Sequence, residues 1–481
     1  MLAWAAVKRS ILAVLLVLVC VATAYELAAL RREGEYRQLI DRGEAALARD
    51  DTFAAIEAFS GAIALRDDSM LGYLKRGEAY RRRHQLDAAS RDPRQAGELD
   101  PSADAAMRDL RKAAELDPLA PRPLEVMGDI SYSLLRYDRA AERYQAYVEL
   151  DDRSPRVLYK LALAQYSAGH TPAAVRALGQ AIAIDDRFAE AYYLLGLSLR
   201  DMQKPRDAQR ALETAVRLSP GMVHAREELA DLYGRLGRRD DRIAQLEELA
   251  GLEPGPSRQV ALGLAYAKAG LFDRAVATLG RASEAYPDYS YTFVALGRVW
   301  LEKAQAPDRL ELMKALGALQ TAAAKDESSE VLMLLGRTLL LSNQDALAER
   351  VLQQATATLP ADPLAFQYLA QAAERCGHPD LARRALVDYR ALVGDEGDLR
   401  RRTAQVLRIA DLSMKAGDSA GAAAWYQRAI EGGGTNVPVL LRLTEAQFKS
   451  GARDAARTTL AHVLELDPGS PQAHVLQRRL R

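Results

Sequence analysis

Apolar residues along this chain recur at helical spacing in short stretches, and each stretch is separated from the next by a polar break. The segment Ala189–Met222 shows this arrangement within thirty-four residues. In its first half, Tyr192, Leu195, Gly196 and Leu199 fall at positions i, i+3, i+4 and i+7. That spacing predicts a helix with one apolar face.

A second helix is predicted in the other half of the same segment. Pro205 suits the first helical position, where its missing N–H costs nothing. Ala208, Leu212, Ala215 and Val216 then share one face, and the sequence Ser-Pro-Gly at 219–221 ends the helix. Neither short helix can bury its apolar stripe alone, so the pair is predicted to stack on copies of itself.

Similar units follow one another along most of the chain. Four of them open at a 34-residue step, at Pro121, Pro155, Ala189 and Val223. The pattern resembles the tetratricopeptide repeat (TPR) family, whose consensus positions are occupied in one unit by Tyr192, Leu195, Gly196, Leu199, Ala208, Leu212, Ala215 and Pro220. About twelve such units fit residues 36–470. The resemblance implies an all-α fold, a right-handed α-solenoid of stacked antiparallel helix pairs, closed by a capping helix at 471–481.

Three local features stand out against this repeat. Residues 84–103 exceed the repeat length and predict an inserted loop between two helices. Arg242 stands where Ala140, Ala174 and Ala208 keep a small residue, which predicts looser packing or an arginine that extends to solvent. Acidic pairs such as Asp151-Asp152 fall at unit ends, where we expect aspartate to cap the next helix.

The N-terminal segment, residues 1–35, has the features of an export signal. Lys8 and Arg9 precede an uncharged apolar run, Ile11–Ala24. Ala22-Thr23-Ala24 fits a signal-peptide cleavage site. The apolar pattern also extends to Leu30, which favours an uncleaved transmembrane anchor over about residues 11–30, with a lead-in helix continuing into the first repeat.

Charges around this segment leave its orientation open. Lys8 and Arg9 on one side face Arg31, Arg32 and Arg37 on the other. We expect a single-pass protein of the bacterial inner membrane with its solenoid in the periplasm. The alternatives are a cleaved, soluble periplasmic protein and a solenoid that faces the cytoplasm.

Composition and motifs exclude several function classes. Lys and Arg total 65, as do Asp and Glu, so the chain lacks the basic excess of a general nucleic-acid binder. Only Cys20 and Cys376 are present, and the six histidines show no zinc-binding spacing. No nucleotide-binding or hydrolase motif occurs. The sequence therefore predicts no enzyme, no cofactor and no metal site.

A candidate partner-binding groove follows from the resemblance. In TPR proteins the concave surface comes from first-helix positions 2, 5, 9 and 12. In the units that open at Pro121, Pro155 and Ala189, these positions supply a predicted aromatic and basic patch: Tyr132, Arg156, Tyr159, Tyr166, Tyr193 and Arg200. Tyrosine and arginine are typical of binding hot spots. Alternatively, tyrosine is simply tolerated there because helices pack on its ring while its hydroxyl reaches water.

These features together predict a non-catalytic, membrane-tethered scaffold. Its groove would hold a protein or peptide partner, and a preformed groove loses little conformational entropy on binding. The resemblance implies a setting in bacterial envelope assembly or secretion. A cytoplasm-facing organiser of an inner-membrane complex is the alternative.

Overall fold

The structure, a computed structural model, describes residues 2–89, 101–304, 309–394, 399–433 and 436–481, without the side chains of residues 2–15, 17, 19, 88, 89 and 309. The described residues form twenty-five α-helices and no strand. In chain order the helices are α1 Leu2–Leu47, α2 Thr52–Leu65, α3 Met70–Ala89, α4 Pro101–Leu116, α5 Arg122–Ser133, α6 Tyr137–Leu150, α7 Pro155–Ser167, α8 Thr171–Ile184, α9 Ala189–Asp201, α10 Pro205–Leu218, α11 Val223–Arg235, α12 Arg239–Leu252, α13 Pro256–Lys268, α14 Phe272–Ala285, α15 Ser290–Lys303, α16 Arg309–Ala323, α17 Ser329–Leu341, α18 Asp345–Ala357, α19 Pro363–Cys376, α20 Pro379–Val393, α21 Leu399–Lys415, α22 Ser419–Glu431, α23 Val437–Lys449, α24 Arg453–Leu466 and α25 Pro471–Leu480.

Within each of two units, consecutive helices pack in pairs, and each pair packs on the next. The chain divides into two units, residues 1–232 and 233–481. In the first unit α3 packs against α4, α7 against α8 and α9 against α10; in the second, α15 against α16 and α17 against α18. Turns of a few residues between the members of most pairs make these partners antiparallel. The all-α TPR-type fold predicted from the sequence is confirmed.

Helices α9 and α10 lie in the segment Ala189–Met222, from which the helix-pair unit was predicted. Helix α10 begins at Pro205 and ends before Ser219, as expected. The buried face of α9, however, is centred on Ala191, Leu194 and Ser198 rather than on the predicted Tyr192, Leu195 and Leu199, which are half-buried. The reason is that α9 is covered on two sides, since α8 and α10 both pack against it.

A glycine in the first helix lets its partner helix approach closely. A Cβ built on Gly196 would lie 2.6 Å from Leu212 Cγ, and one on Gly336 would lie 2.4 Å from Leu352 Cγ. The same glycine-to-large-residue contact recurs in five more pairs, Gly43–Phe59, Gly77–Leu110, Gly128–Tyr144, Gly263–Leu279 and Gly297–Leu319. These contacts set the spacing within a pair.

Alanine keeps the second helices close to their neighbours. Ala140, Ala174 and Ala208, the predicted small positions, are all fully buried. Arg242 of α12 takes the equivalent place in its pair, and its Cδ lies 3.3 Å from where a Cβ on Gly234 would be. Its side chain is only partly buried, so the predicted extension towards solvent is partial, and its Nε is buried without a hydrogen-bond partner among the described residues.

Two local expectations are revised. The predicted loop at 84–103 is shorter, because residues 84–89 belong to α3 and residues 101–103 to α4; the remainder, residues 90–100, lies outside the described residues. Asp151 does not cap the next helix. Its carboxylate accepts a hydrogen bond from the Arg153 N–H, 3.1 Å away, and Ser154 caps α7 instead.

Helix α1 is continuous for 46 residues, from the apolar N-terminal segment into the first pair. Tyr36 and Ile40 are buried against that pair, whereas Leu16, Tyr25 and Leu30 are largely exposed. Most of the predicted anchor's first side chains, at residues 11–15, 17 and 19, lie outside the described residues. Among the helices that the structure describes, none combines the length and the apolarity that crossing a membrane requires.

Candidate functional site

The six predicted groove residues lie on three successive first helices of the first unit. Tyr132 is on α5, while Arg156, Tyr159 and Tyr166 are on α7, and Tyr193 and Arg200 are on α9. The rings of Tyr132, Tyr159 and Tyr166 pack against the edge of one hydrophobic cluster that includes Leu161 and Leu194. We call these six residues, Tyr132, Arg156, Tyr159, Tyr166, Tyr193 and Arg200, the tyrosine face.

Two of the four hydroxyls bind the following helix pair. Tyr132 Oη lies 3.2 Å from Ser167 Oγ, and Tyr166 Oη donates to Asp201 Oδ2 at 2.7 Å. Burial and the hydrogen bond to Asp201 raise the pKa of Tyr166 to about 12. These two tyrosines therefore tie consecutive pairs together, as the structural alternative in the sequence analysis implies.

The other two hydroxyls have no such role. Neither Tyr159 nor Tyr193 forms a side-chain hydrogen bond within the described part of the chain. The Tyr159 ring lies against Phe188, with 5.2 Å between ring centroids. Burial raises the pKa of Tyr159, and the negative charge of Glu190 together with Tyr132 and Tyr193 adds to the rise. Tyr159 and Tyr193 are thus the members of the face with unused hydrogen-bonding capacity.

A buried carboxylate lies beside the tyrosine face. The Glu125 side chain is 3% exposed and accepts hydrogen bonds from three cations. Arg122 Nη1 donates at 2.5 Å, Arg156 Nη2 at 2.7 Å and Lys160 Nζ at 2.8 Å. Lys160 also donates to Asp129 Oδ1 at 2.7 Å. Most of the Arg156 side chain, 64%, nevertheless stays exposed.

Burial alone would raise the pKa of Glu125, but the opposite charges prevail. Hydrogen bonds and Coulomb attraction from Lys160 and Arg122 hold the pKa of this carboxyl below its usual value. Glu125 therefore stays ionised and fixes the positions of Arg122, Arg156 and Lys160. Such a charge network gives a surface a defined donor pattern.

Arg200, on α9, is also oriented by carboxylates. Its guanidinium forms ion pairs with Asp201 and with Glu228 of α11. Burial acts to lower the pKa of Arg200, but the two carboxylates raise it overall. Both arginines of the face are thus oriented by carboxylates before any partner arrives.

The selection of site residues from sequence missed Lys160 and did not include Glu125. A usable signal was present in the sequence, because Arg156 and Lys160 follow Glu125 by 31 and 35 residues, about one repeat. Side chains separated by one repeat lie beside each other on adjacent first helices.

The described residues contain no cluster of three or more His, Cys, Asp or Glu side chains that could hold a metal ion.

Protein-family models match part of the chain. Models described as tetratricopeptide repeat match residues 126–192 and 193–257, residues 259–289, and residues 413–480. Together these matches cover a little under half of the chain. No curated protein matches the chain.

Several solved structures resemble parts of the chain at low overall similarity. MamA is 26% identical, covers 32% of this chain and 95% of its own, and gives a TM-score of 0.31. Pseudomonas aeruginosa PilF is 21% identical, with 46% and 94% coverage and a TM-score of 0.35. The C-terminal part of a TPR repeat-containing protein from Cytophaga hutchinsonii is 16% identical, with 60% and 95% coverage and a TM-score of 0.40.

The family matches and the helix pairing agree with each other. The match to residues 126–192 includes all of α6, α7 and α8, and the match to 193–257 includes all of α10, α11 and α12. The tyrosine face lies within these matched residues. The chain is therefore an all-α protein of the TPR-solenoid fold, built at least in part from tetratricopeptide repeats.

Proposed function

We propose that this protein is a non-catalytic scaffold that binds a protein or peptide partner on the tyrosine face. The observation that carries the proposal is the combination of two phenol hydroxyls, on Tyr159 and Tyr193, that form no hydrogen bond within the described part of the chain, with arginines already oriented by carboxylates. TPR repeats generally serve protein interaction, and rigid tyrosine area beside fixed arginine suits that role. Arg156, being mostly exposed, supplies the accessible positive charge.

The partner should offer an extended segment with a carboxylate. Tyr159 and Tyr193 present ring surface and hydroxyl donors, while Arg156 retains guanidinium donors beyond the single hydrogen bond that it gives to Glu125. A carboxylate can accept two parallel bonds from such a group. Preorganisation limits the entropy lost on binding.

Site-specific crosslinking tests this proposal. A photoreactive phenylalanine analogue at Tyr193 should capture a discrete partner in cells of the source organism. The same analogue at Tyr291, an exposed tyrosine of α15, is the matched control and should not capture it. Equal capture from both positions, or none from position 193, would reject the tyrosine face as the site.

Two quadruple variants distinguish loss of partner binding caused by loss of the tyrosine rings from loss caused by misfolding. Changing Tyr132, Tyr159, Tyr166 and Tyr193 to alanine should abolish recovery of the partner. Changing the same four to phenylalanine keeps the rings and should retain most of it, with circular dichroism reporting the helix content of both. Full recovery with the folded alanine variant would contradict the proposal.

We further propose that the N-terminal segment tethers the scaffold to the bacterial inner membrane, with the solenoid in the periplasm. The apolar run Ile11–Ala24, its flanking cations and its continuation to Leu30 support a tether. Membrane fractionation of the full chain, and of a chain lacking residues 2–30, tests the tether. A reporter that works only in the periplasm, fused at Arg481, tests the side; an inactive reporter would favour a cytoplasm-facing organiser.

Cleavage after Ala24 would instead release a soluble periplasmic protein. Mass measurement of the mature protein distinguishes the two forms. An intact N-terminus in the membrane fraction supports the anchor, whereas a mature chain that begins at Tyr25 supports release.

A further inference from the structure

A cavity of about 220 Å³ lies at the turn between α11 and α12, within the second unit. It is lined by Tyr233, Gly234, Arg235, Gly237, Arg239, Arg242, Ala265 and Lys268. We call it the turn cavity. Its lining carries four cationic side chains, Arg235, Arg239, Arg242 and Lys268, and no acidic one.

Arg242 creates this environment by its position. Alanine fills the equivalent place in α6, α8 and α10, whereas the Arg242 side chain covers Gly234. The Arg242 Nε is buried and has no hydrogen-bond partner among the described residues. A buried donor of this kind costs free energy unless something accepts its hydrogen bond. The site therefore lacks an acceptor.

The neighbouring cations are not neutralised by the protein. Arg235, Arg239 and Lys268 are exposed and form no ion pair within the part of the chain that the structure describes. Asp241 is close in sequence, but it accepts a hydrogen bond from Arg238 at 2.7 Å and does not line the cavity. The positive charge of the cavity is consequently open to a ligand.

We propose that the turn cavity binds a small phosphate-type oxyanion. Its volume is below the ~300–1,000 Å³ typical of sites for drug-sized ligands, so a compact anion fits best. Four positive charges without an acid favour a dianion over a single carboxylate. Arginine guanidinium groups match phosphate oxygens through paired hydrogen bonds. The cavity is separate from the tyrosine face, so this proposal does not depend on the proposed scaffold function.

The test is isothermal titration of the full chain, in mild detergent, with inorganic phosphate at constant ionic strength. We expect saturable binding by the wild type and at least ~10-fold weaker binding by Arg242→Ala, which loses the charge-assisted hydrogen bonds. Arg350→Ala removes an exposed charge from α18 and should bind phosphate as the wild type does. Acetate at the same ionic strength should bind more weakly than phosphate.

Arg242→Ala should also fold, because alanine is the residue that the equivalent pairs carry. Arg239→Gln, at an exposed position, is a second variant for which folding is not in question, and it too should weaken phosphate binding. No phosphate binding by the wild type, or equal binding by the wild type and both variants, would overturn the proposal. Acetate binding as tight as phosphate binding would overturn the choice of anion.

Local hydrogen exchange shows where phosphate binds. A larger cavity of about 470 Å³ in the first unit also contains arginines, among them Arg139 and Arg143, although Asp104 and Glu142 share its lining. Phosphate should slow amide exchange around residues 233–242 and 265–268. Slowing confined to the first unit would overturn the assignment to the turn cavity.

Discussion

Leu135 occupies a backbone conformation that leucine rarely adopts. It lies in the turn between α5 and α6 with φ +58°, in the left-handed region. Gly169 holds the corresponding place in the turn between α7 and α8, with φ +84°. In both turns the residue after the left-handed one donates a backbone hydrogen bond to a carbonyl five residues earlier. The Arg136 N–H donates to the Ser131 carbonyl, and the His170 N–H donates to the Gln165 carbonyl. This motif closes the first helix and requires the left-handed residue.

We therefore expect Leu135→Gly to stabilise the α5–α6 pair. The left-handed conformation costs a side-chain-bearing residue about 1–2 kcal/mol, and the added chain entropy of glycine offsets part of that gain. The net gain should be about 0.5–1 kcal/mol, measured as slower amide hydrogen exchange in α5 and α6. Leu119→Gly is the control, because Leu119 is even more exposed but has no positive φ; it should give no gain.

The lowered pKa of Glu125 predicts that the free energy of unfolding depends on pH. Its pKa is lowered in the folded state, so its contribution to stability is present above the unfolded pKa and is lost as the pH falls through the lower, folded value. Glu125→Gln should destabilise the protein by about 2–3 kcal/mol near neutral pH, because Lys160 and Arg122 lose their shared acceptor. That difference should shrink in acid.

Urea unfolding followed by circular dichroism, at neutral pH and at about pH 3, measures this effect. Glu149→Gln is the matched control, since Glu149 is exposed and has no side-chain partner among the described residues. A destabilisation by Glu125→Gln that is the same at both pH values would rule out the ionised carboxylate as its cause.

Sequence reasoning selected the six residues of the tyrosine face but could not assign the hydrogen bonds of their hydroxyls. Tyr132 and Tyr166 bond to Ser167 and Asp201, each 35 residues further along the chain. Tyr132 and Tyr166 stand at groove position 12 of their units, whereas Tyr159 and Tyr193 stand at position 5 and form no such bond within the described residues. The difference therefore follows the position within the repeat, and comparison of adjacent repeats at position 12 would have revealed the two bonds.

At the scale of the helix pair, spacing depends on glycine and its large partner. Gly196→Ala would place a Cβ 2.6 Å from Leu212 Cγ, so α9 and α10 must separate. We expect a loss of about 1–3 kcal/mol from this overpacking, measured as faster amide exchange in both helices. Gly179→Ala in α8 is the control, because nothing lies within 4 Å of its Cβ and alanine favours an exposed helix by up to ~1 kcal/mol.

Helix boundaries were more predictable than helix faces. Pro205 and the break at 219–221 set the limits of α10, since proline and glycine act through local backbone geometry. The buried face of α9 depends instead on neighbours that come from other parts of the chain. Its Ser198 is fully buried because its hydroxyl donates to the Leu194 carbonyl at 2.8 Å, which removes the cost of burying a polar group.

At the scale of the whole molecule, stability should be local. Within each unit, a helix pair packs mainly on the next, and a solenoid's stability is approximately a sum of repeat and interface contributions. Gly336→Ala, which would bring a Cβ to 2.4 Å from Leu352 Cγ, should therefore speed amide exchange in α17 and α18. Exchange in α5 to α8 should be unchanged, and a uniform increase along the chain would contradict the local model.

Because helix α1 is continuous, it fixes how far the helix pairs that follow it are rotated about its axis relative to the N-terminal apolar segment. Between the apolar segment and Tyr36 no break interrupts the helix, so each inserted residue would turn the repeats by about 100° about its axis. With residues 11–30 held in a membrane as proposed, five alanines inserted after Glu35 would swing the tyrosine face through about 140°, whereas seven would return it to within about 20°. Partner crosslinking at residue 193 that survives seven insertions and fails with five would show that α1 determines the direction in which the scaffold presents its binding face.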